Sequence, residues 1–193
     1  MRQTRAWRQA LSQLEDKQFF QYAGDGTEAL KAAIRQKGWP GLFGSSGRIF
    51  GADGLTLAKG GVSKFVEKLR PFLEAQGVKI PELKDQLARE SYTLLVDGAA
   101  LPIWTKQDLA RELGDRPGIT GGLAAARSFA LVNTLLENAK SKERAYAIYS
   151  GAALAVMFLT DDVVAVMRAD PHMVPKFMPY KITTEYPVFG QPQ

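Results

Sequence analysis

Short apolar runs rich in β-prone residues alternate along this chain with longer stretches whose apolar positions recur at helical spacing. From Thr4, the residues Trp7, Leu11 and Leu14 return every three or four positions among charged neighbours, the signature of an amphipathic helix. Gly24-Asp25-Gly26 interrupts it. Thr27 then caps a second helix that runs to Lys37 and stops at Gly38, ahead of Trp39-Pro40. Three hairpin-and-helix units are expected beyond this point. The first spans Arg48–Ala58 with its turn at Asp53-Gly54, and leads to a helix capped by Ser63 and striped by Val62, Phe65, Val66, Leu69 and Leu73. Pro71 should kink or shorten that helix, and Gly77 should end it. Lys79–Ser91 reads as a polar connector, with a short helical turn after Pro81. The second unit pairs Tyr92–Val96 with Ala99–Trp104 around Asp97-Gly98, and Thr105 with Asp108 has the pattern of a capping box. The third, Ala145–Leu159, turns at Ser150-Gly151 and feeds a helix capped at Thr160.

Two of these units share a phrase, LVDGAAL at Leu95–Leu101 and IYSGAAL at Ile148–Leu154, and a looser version starts at Ile49. The repetition describes an architecture rather than a chemistry. Between the units, Gly121–Ala139 is apolar almost all round, which places that helix inside a domain. Ala155–Leu159 is continuously apolar rather than alternating, as in a strand buried on both faces. The predicted class is α+β: an antiparallel sheet built from two or three β-hairpin-plus-helix units, covered on one face by helices. Residues 1–170 form one domain, helical over 1–40.

Residues 171–193 obey different rules. They hold five of the ten prolines (Pro171, Pro175, Pro179, Pro187 and Pro192), interspersed with large apolar side chains. That composition excludes a long helix and is too apolar for a disordered linker, so an extended tail should pack on the domain or on a partner. Ile182, Thr184, Tyr186 and Val188 alternate as an edge strand would, and Pro187 is tolerated at an edge.

Composition narrows the chemistry. The absence of cysteine removes disulfides, thiol catalysis and cysteine-ligated metals, and the single histidine, His172, removes multi-histidine metal sites within one chain. The opening residues lack the apolar core of a signal peptide, and the apolar run Ala152–Leu159 is far below the roughly 20 residues of a membrane span. A cytoplasmic protein without membrane contact is the expectation. The net charge of +5 is concentrated in residues 1–50, at Arg2, Arg5, Arg8, Lys17, Lys31, Arg35, Lys37 and Arg48, which would suit phosphates or an acidic surface.

Candidate site residues are few. Gly44-Ser45-Ser46-Gly47 looks like a nucleophile elbow but has the wrong spacing. Gly118-Ile119-Thr120-Gly121-Gly122 opens the buried helix and could meet an anion, but no P-loop lysine comes after it, and glycines for close packing explain it better. Arg127, Asn133 and Thr134 are polar residues in the apolar helix; Arg127 needs a partner, with Glu143 or Asp162 as internal choices. Trp104 on the second hairpin, and Phe177, Tyr180 and Tyr186 in the tail, are the aromatic candidates for binding. No catalytic residue, metal site or cofactor is indicated. The leading expectation is a non-enzymatic protein-binding protein of adaptor, regulatory or immunity type, with docking or self-association through the tail. The alternatives are a small-molecule binder or enzyme with an anion pocket near Arg127, and nucleic-acid binding through the basic N-terminal helices.

Overall fold

The computed structural model describes residues 2–43, 47–150 and 153–192; Gly44-Ser45-Ser46 and Gly151 lie outside the described residues. The class is α+β, as expected, but the strands form two three-stranded antiparallel sheets instead of one. Sheet one has the order β1-β6-β5, with β1 at Ile49–Gly51, β5 at Glu143–Ser150 and β6 at Ala153–Thr160. Sheet two has the order β2-β3-β4, with β2 at Leu83–Leu87, β3 at Tyr92–Val96 and β4 at Ala99–Trp104. The helices are α1 (Arg2–Asp16), α2 (Thr27–Lys37), the single turn α3 (Gly54–Thr56), α4 (Val62–Ala75), α5 (Lys106–Leu113), α6 (Ile119–Asn138) and α7 (Asp161–Ala169).

The second hairpin forms as its sequence predicts. Asp97 and Gly98 both take positive φ, 48° and 82°, as a two-residue turn of type I′ requires. Thr105 and Asp108 close a capping box on α5, and Thr160 caps α7. The doubled phrase, however, does not share a register. Val96 pairs with Ala99, whereas Ser150, which stands where Asp97 stands, pairs with Ala153 and is a strand residue. The two copies also lie in different sheets.

Three expectations fail for identifiable reasons. Ile49–Gly51 does not form a hairpin with the residues directly after it; it pairs with β6, with Phe50 opposite Val156. The Asp53 carboxylate accepts hydrogen bonds from Thr56 Oγ1 at 2.6 Å and Thr56 N at 2.8 Å, so Asp53 starts a helix instead of a hairpin turn. Those two bonds also hold its carboxyl below the usual carboxylate value. The connector after Pro81 is strand β2, held by ladder pairs from Leu83 opposite Val96 to Leu87 opposite Tyr92. Its Asp85 reaches α4, accepting from Ser63 Oγ and, at 3.3 Å, from Ser63 N. Ser63 therefore lies inside the first turn of α4 and is not its cap. The helix continues past Pro71 to bury Phe72 and Leu73.

Sheet one is covered on both faces, not one. Tyr146, Ile148, Met157 and Leu159 pack against α1, α2 and α7, burying Leu14, Ile34 and Val163. Ala145, Ala147, Val156 and Phe158 face the other core, with Phe65, Leu69 and Phe72 of α4 and Ala125, Phe129 and Val132 of α6. This explains the unbroken apolar run of β6, whose residues Ala155–Leu159 are all buried. Helix α6 is long and apolar enough to cross a membrane, but more than half of it is buried in this core.

Arg48 locks the N-terminal helices onto sheet one. It is 1 % exposed. Its guanidinium donates to Phe19 O at 2.7 Å, Phe158 O at 3.1 Å and Gln18 O at 3.4 Å, and lies over the rings of Phe19 and Tyr22. Its Nη1 also stands 2.8 Å from Oε2 of the buried Glu143, an ion pair without an aligned hydrogen bond. Removing one charge of such a pair strands the other. Glu143→Leu is expected to lose about 3–5 kcal/mol in urea unfolding. Adding Arg48→Met should restore part of that loss but not all, since Phe19 O, Phe158 O and Gln18 O each lose a guanidinium donor; no loss in the single variant would contradict this role.

Candidate functional site

Two features that looked unrelated in sequence meet in one cleft of about 400 Å³. Its floor is the glycine-rich start of α6, its one wall the α3 turn, and its other wall the tail, with Tyr180, Ile182, Tyr186 and Phe189. The glycines serve close packing. A Cβ on Gly54 would stand 2.9 Å from Gly121 O, and one on Gly122 would fall 2.1 Å from the Phe189 ring. The tail ring therefore rests directly on the helix backbone.

The helix start also meets an anion, the lesser of the two readings of its glycines, and the protein itself supplies it. Glu112, on α5, accepts from Gly118 N at 2.7 Å, Thr120 N at 2.9 Å and Thr120 Oγ1 at 3.1 Å. Burial pushes its carboxyl up, but the amides of Thr120, Gly118 and Ile119 outweigh that and leave it below the ordinary value. The positive end of α6 is thus already neutralised. A depressed carboxyl adds stability above its unfolded-state pKa and loses it as pH falls through the folded one. Wild type should therefore lose about 1 kcal/mol more than Glu112→Ala on titration from pH 6 to pH 3, read by urea unfolding. Equal losses in the two proteins would show that Glu112 is not the cap.

The tail packs on its own chain. Tyr180 forms a two-bond bridge with Ala147, donating at 3.0 Å and accepting at 2.8 Å, and its ring stacks on Tyr149 with centroids 6.4 Å apart. Burial, with Tyr149 alongside, pushes the Tyr180 hydroxyl well up. The alternating stretch Ile182–Val188 is not an edge strand; beyond the bridge the chain turns, with Phe189 N donating to Glu185 O at 2.8 Å and Thr183 N to Phe189 O at 3.0 Å. Tyr186 lies edge-on to Phe189 and beneath the Arg116 guanidinium, 5.6 Å away. Phe177 is half-buried in a short helical turn.

The candidates on α6 do not converge. Arg127 donates to Ile103 O of β4 at 2.7 Å, so its partner is a carbonyl and neither proposed acid. Glu143 is taken by Arg48, and Asp162 pairs with Lys17 at 3.2 Å. Thr134 is exposed and bonds back to Ala130 O at 3.0 Å. Trp104 is a core residue whose Nε1 donates to Ala58 O at 2.8 Å. Asn133 has a more specific task. Its amide accepts from Ala145 N at 2.7 Å and donates to Ala145 O at 3.3 Å, imitating a neighbouring strand on the β5 edge. Tyr180 does the same two residues further on. Asn133→Leu should therefore cost about 1–3 kcal/mol by leaving both Ala145 groups unpaired, measured by denaturant unfolding. A neutral result would rule out edge capping.

The basic N-terminal surplus is partly spent internally. Lys17 pairs with Asp162, Lys31 with Glu15 at 2.6 Å, and Arg48 is buried with Glu143. A wider cleft of about 810 Å³ at the junction of α1 and sheet one is lined by matched charges, among them Lys17–Asp162 and the Asp161 that accepts from the Tyr146 hydroxyl. Among the described residues no cluster of His, Asp or Glu is placed to hold a metal ion. Arg48 has no local sequence signal because it acts across elements distant in the chain, while Glu112 and Asn133 reach only into the next element but follow no recognisable spacing. No family model, no curated protein and no solved structure matches this chain.

Proposed function

We propose that this is a non-enzymatic, cytoplasmic binding protein that receives an apolar side chain of a protein partner in the cleft between the α6 start, the α3 turn and the tail. The observation that carries the proposal is Leu55, 61 % exposed on the lip of that cleft. A large apolar side chain beside a preformed apolar hollow is a surface kept uncovered at a cost in water. The surroundings match those of interface hot spots: Tyr149, Tyr180 and Tyr186 with Arg116 over the last, and prolines 117 and 187 at the rim. The tail contributes walls to the cleft, so docking there would involve it.

Leu55→Asp tests the proposal, with Leu113→Asp as control because Leu113 is 81 % exposed at the end of α5 and does not line the cleft. A partner recovered with the native chain and then purified should bind Leu55→Asp at least about tenfold more weakly, which is 1.4 kcal/mol. The control should bind as wild type does. Sedimentation of the chain alone identifies a second copy as the occupant if wild type associates and Leu55→Asp does not. A Leu55→Asp protein that binds and sediments like wild type would refute the assignment.

A further inference from the structure

A second apolar cleft, of about 360 Å³, lies on the other side of the α3 turn and shares Asp53 and Leu154 with the first. Its apolar surface comes from Ala52, Leu57, Phe65 and Leu154. Lys64 and Lys68, one turn apart on α4, stand on its rim and are both exposed. The other charges of this helix are committed to each other: Arg70 pairs with Glu67 at 2.6 Å and with Glu74 at 3.0 Å. Among the described residues, Lys64 and Lys68 make no ion pair. The Lys68 ammonium is folded over the cleft, 3.9 Å from where a Cβ of Gly51 would stand. Asp53, the one acid among the described residues at the rim, is engaged by Thr56.

An apolar hollow edged by two unmatched ammonium groups has the form of a site for an amphipathic anion. We propose that this cleft binds a carboxylate carried on an apolar chain, with the chain against Leu57, Phe65 and Leu154 and the carboxylate between Lys64 and Lys68. The two lysines supply charge-assisted hydrogen bonds, and the buried wall supplies the larger, non-directional part of the affinity. The anion site is thus at α4, far in sequence from the arginine of α6. It needs no protein partner, so it stands or falls separately from the docking of a protein beside Leu55.

Calorimetric titration of the full chain with sodium decanoate and with decanol, both below their self-association limits, tests this. Decanoate should bind more tightly than decanol, and its affinity should fall as salt is raised. Lys64→Gln/Lys68→Gln should weaken decanoate about tenfold and leave decanol unchanged, while Lys64→Arg/Lys68→Arg keeps decanoate binding. Three results would each overturn the proposal: no decanoate binding up to millimolar concentration, equal affinity for decanoate and decanol, or decanoate affinity unchanged in the glutamine variant. Both lysines are exposed, so far-UV circular dichroism should show that all variants keep the native fold.

Discussion

The Arg48–Glu143 pair is the interaction on which the two halves of this molecule depend. Helix α1 ends at Asp16, and the chain makes one more short helical turn at Phe19–Tyr22, in which Gln18 O accepts from Gln21 N at 3.2 Å. One guanidinium serves the carbonyls of Gln18 and Phe19, reaches Phe158 O in the central strand, and faces Glu143 at the start of β5. A lysine could not replace it. An ammonium is a point charge with three donors, while the planar fork can bond several carbonyls and still lie flat on Phe19 and Tyr22. The pair is costly to bury and costlier to break, so it ties the N-terminal core to sheet one more as a specification of geometry than as a reservoir of stability.

With β1 on one side of β6, the sheet would still expose the long edge of β5. That edge is closed one residue at a time. Ser141 Oγ accepts from Glu143 N at 3.0 Å, the Asn133 amide serves both groups of Ala145, and the Tyr180 backbone serves both groups of Ala147. Two-residue periodicity makes 143, 145 and 147 the outward-bonding positions. Three different devices, a hydroxyl, an amide and a length of tail, thus perform one task. An exposed edge of eight residues would be a template for pairing with other chains, and capping it within the chain removes that hazard. This accounts for the apolar, proline-rich composition of the tail: it needs one bridge and several ring contacts, not a ladder.

What could be read in the sequence was local. The Asp97-Gly98 turn, the Thr105–Asp108 capping box, the Thr160 cap and the buried character of α6 each rest on a few adjacent residues, and each forms. Asp53-Gly54 was equally local but ambiguous, because an aspartate before glycine suits a hairpin turn and a helix cap alike; pairing of β1 with β6, a hundred residues away, decided it. Strand β2 carries no apolar alternation since it is a mostly exposed edge strand, so its polar residues read as a connector. Arg127 and Asn133 were visible as polar residues in an apolar helix. Their partners, Ile103 O and Ala145, were not, because carbonyls and edge amides leave no trace in composition.

The cleft at the α6 start shows how a misleading local signal and a correct one can share the same five residues. Glycines at a helix N-terminus suit an anion, and they suit contact with another backbone. Here Gly118 and Thr120 meet a carboxylate that belongs to the protein, while Gly121 meets Gly54 and Gly122 meets Phe189. The Gly54–Gly121 contact is the decisive one. It brings the α3 turn onto α6 at backbone distance, and any side chain there would hold the two apart. From α3 the chain passes through a kinked helical turn at Leu57–Gly61 into α4. Both clefts lie beside its start, and both include its capping residue Asp53 together with Leu154 of β6. The two clefts beside α3 therefore share one close backbone approach, set by two glycines 67 positions apart in the chain.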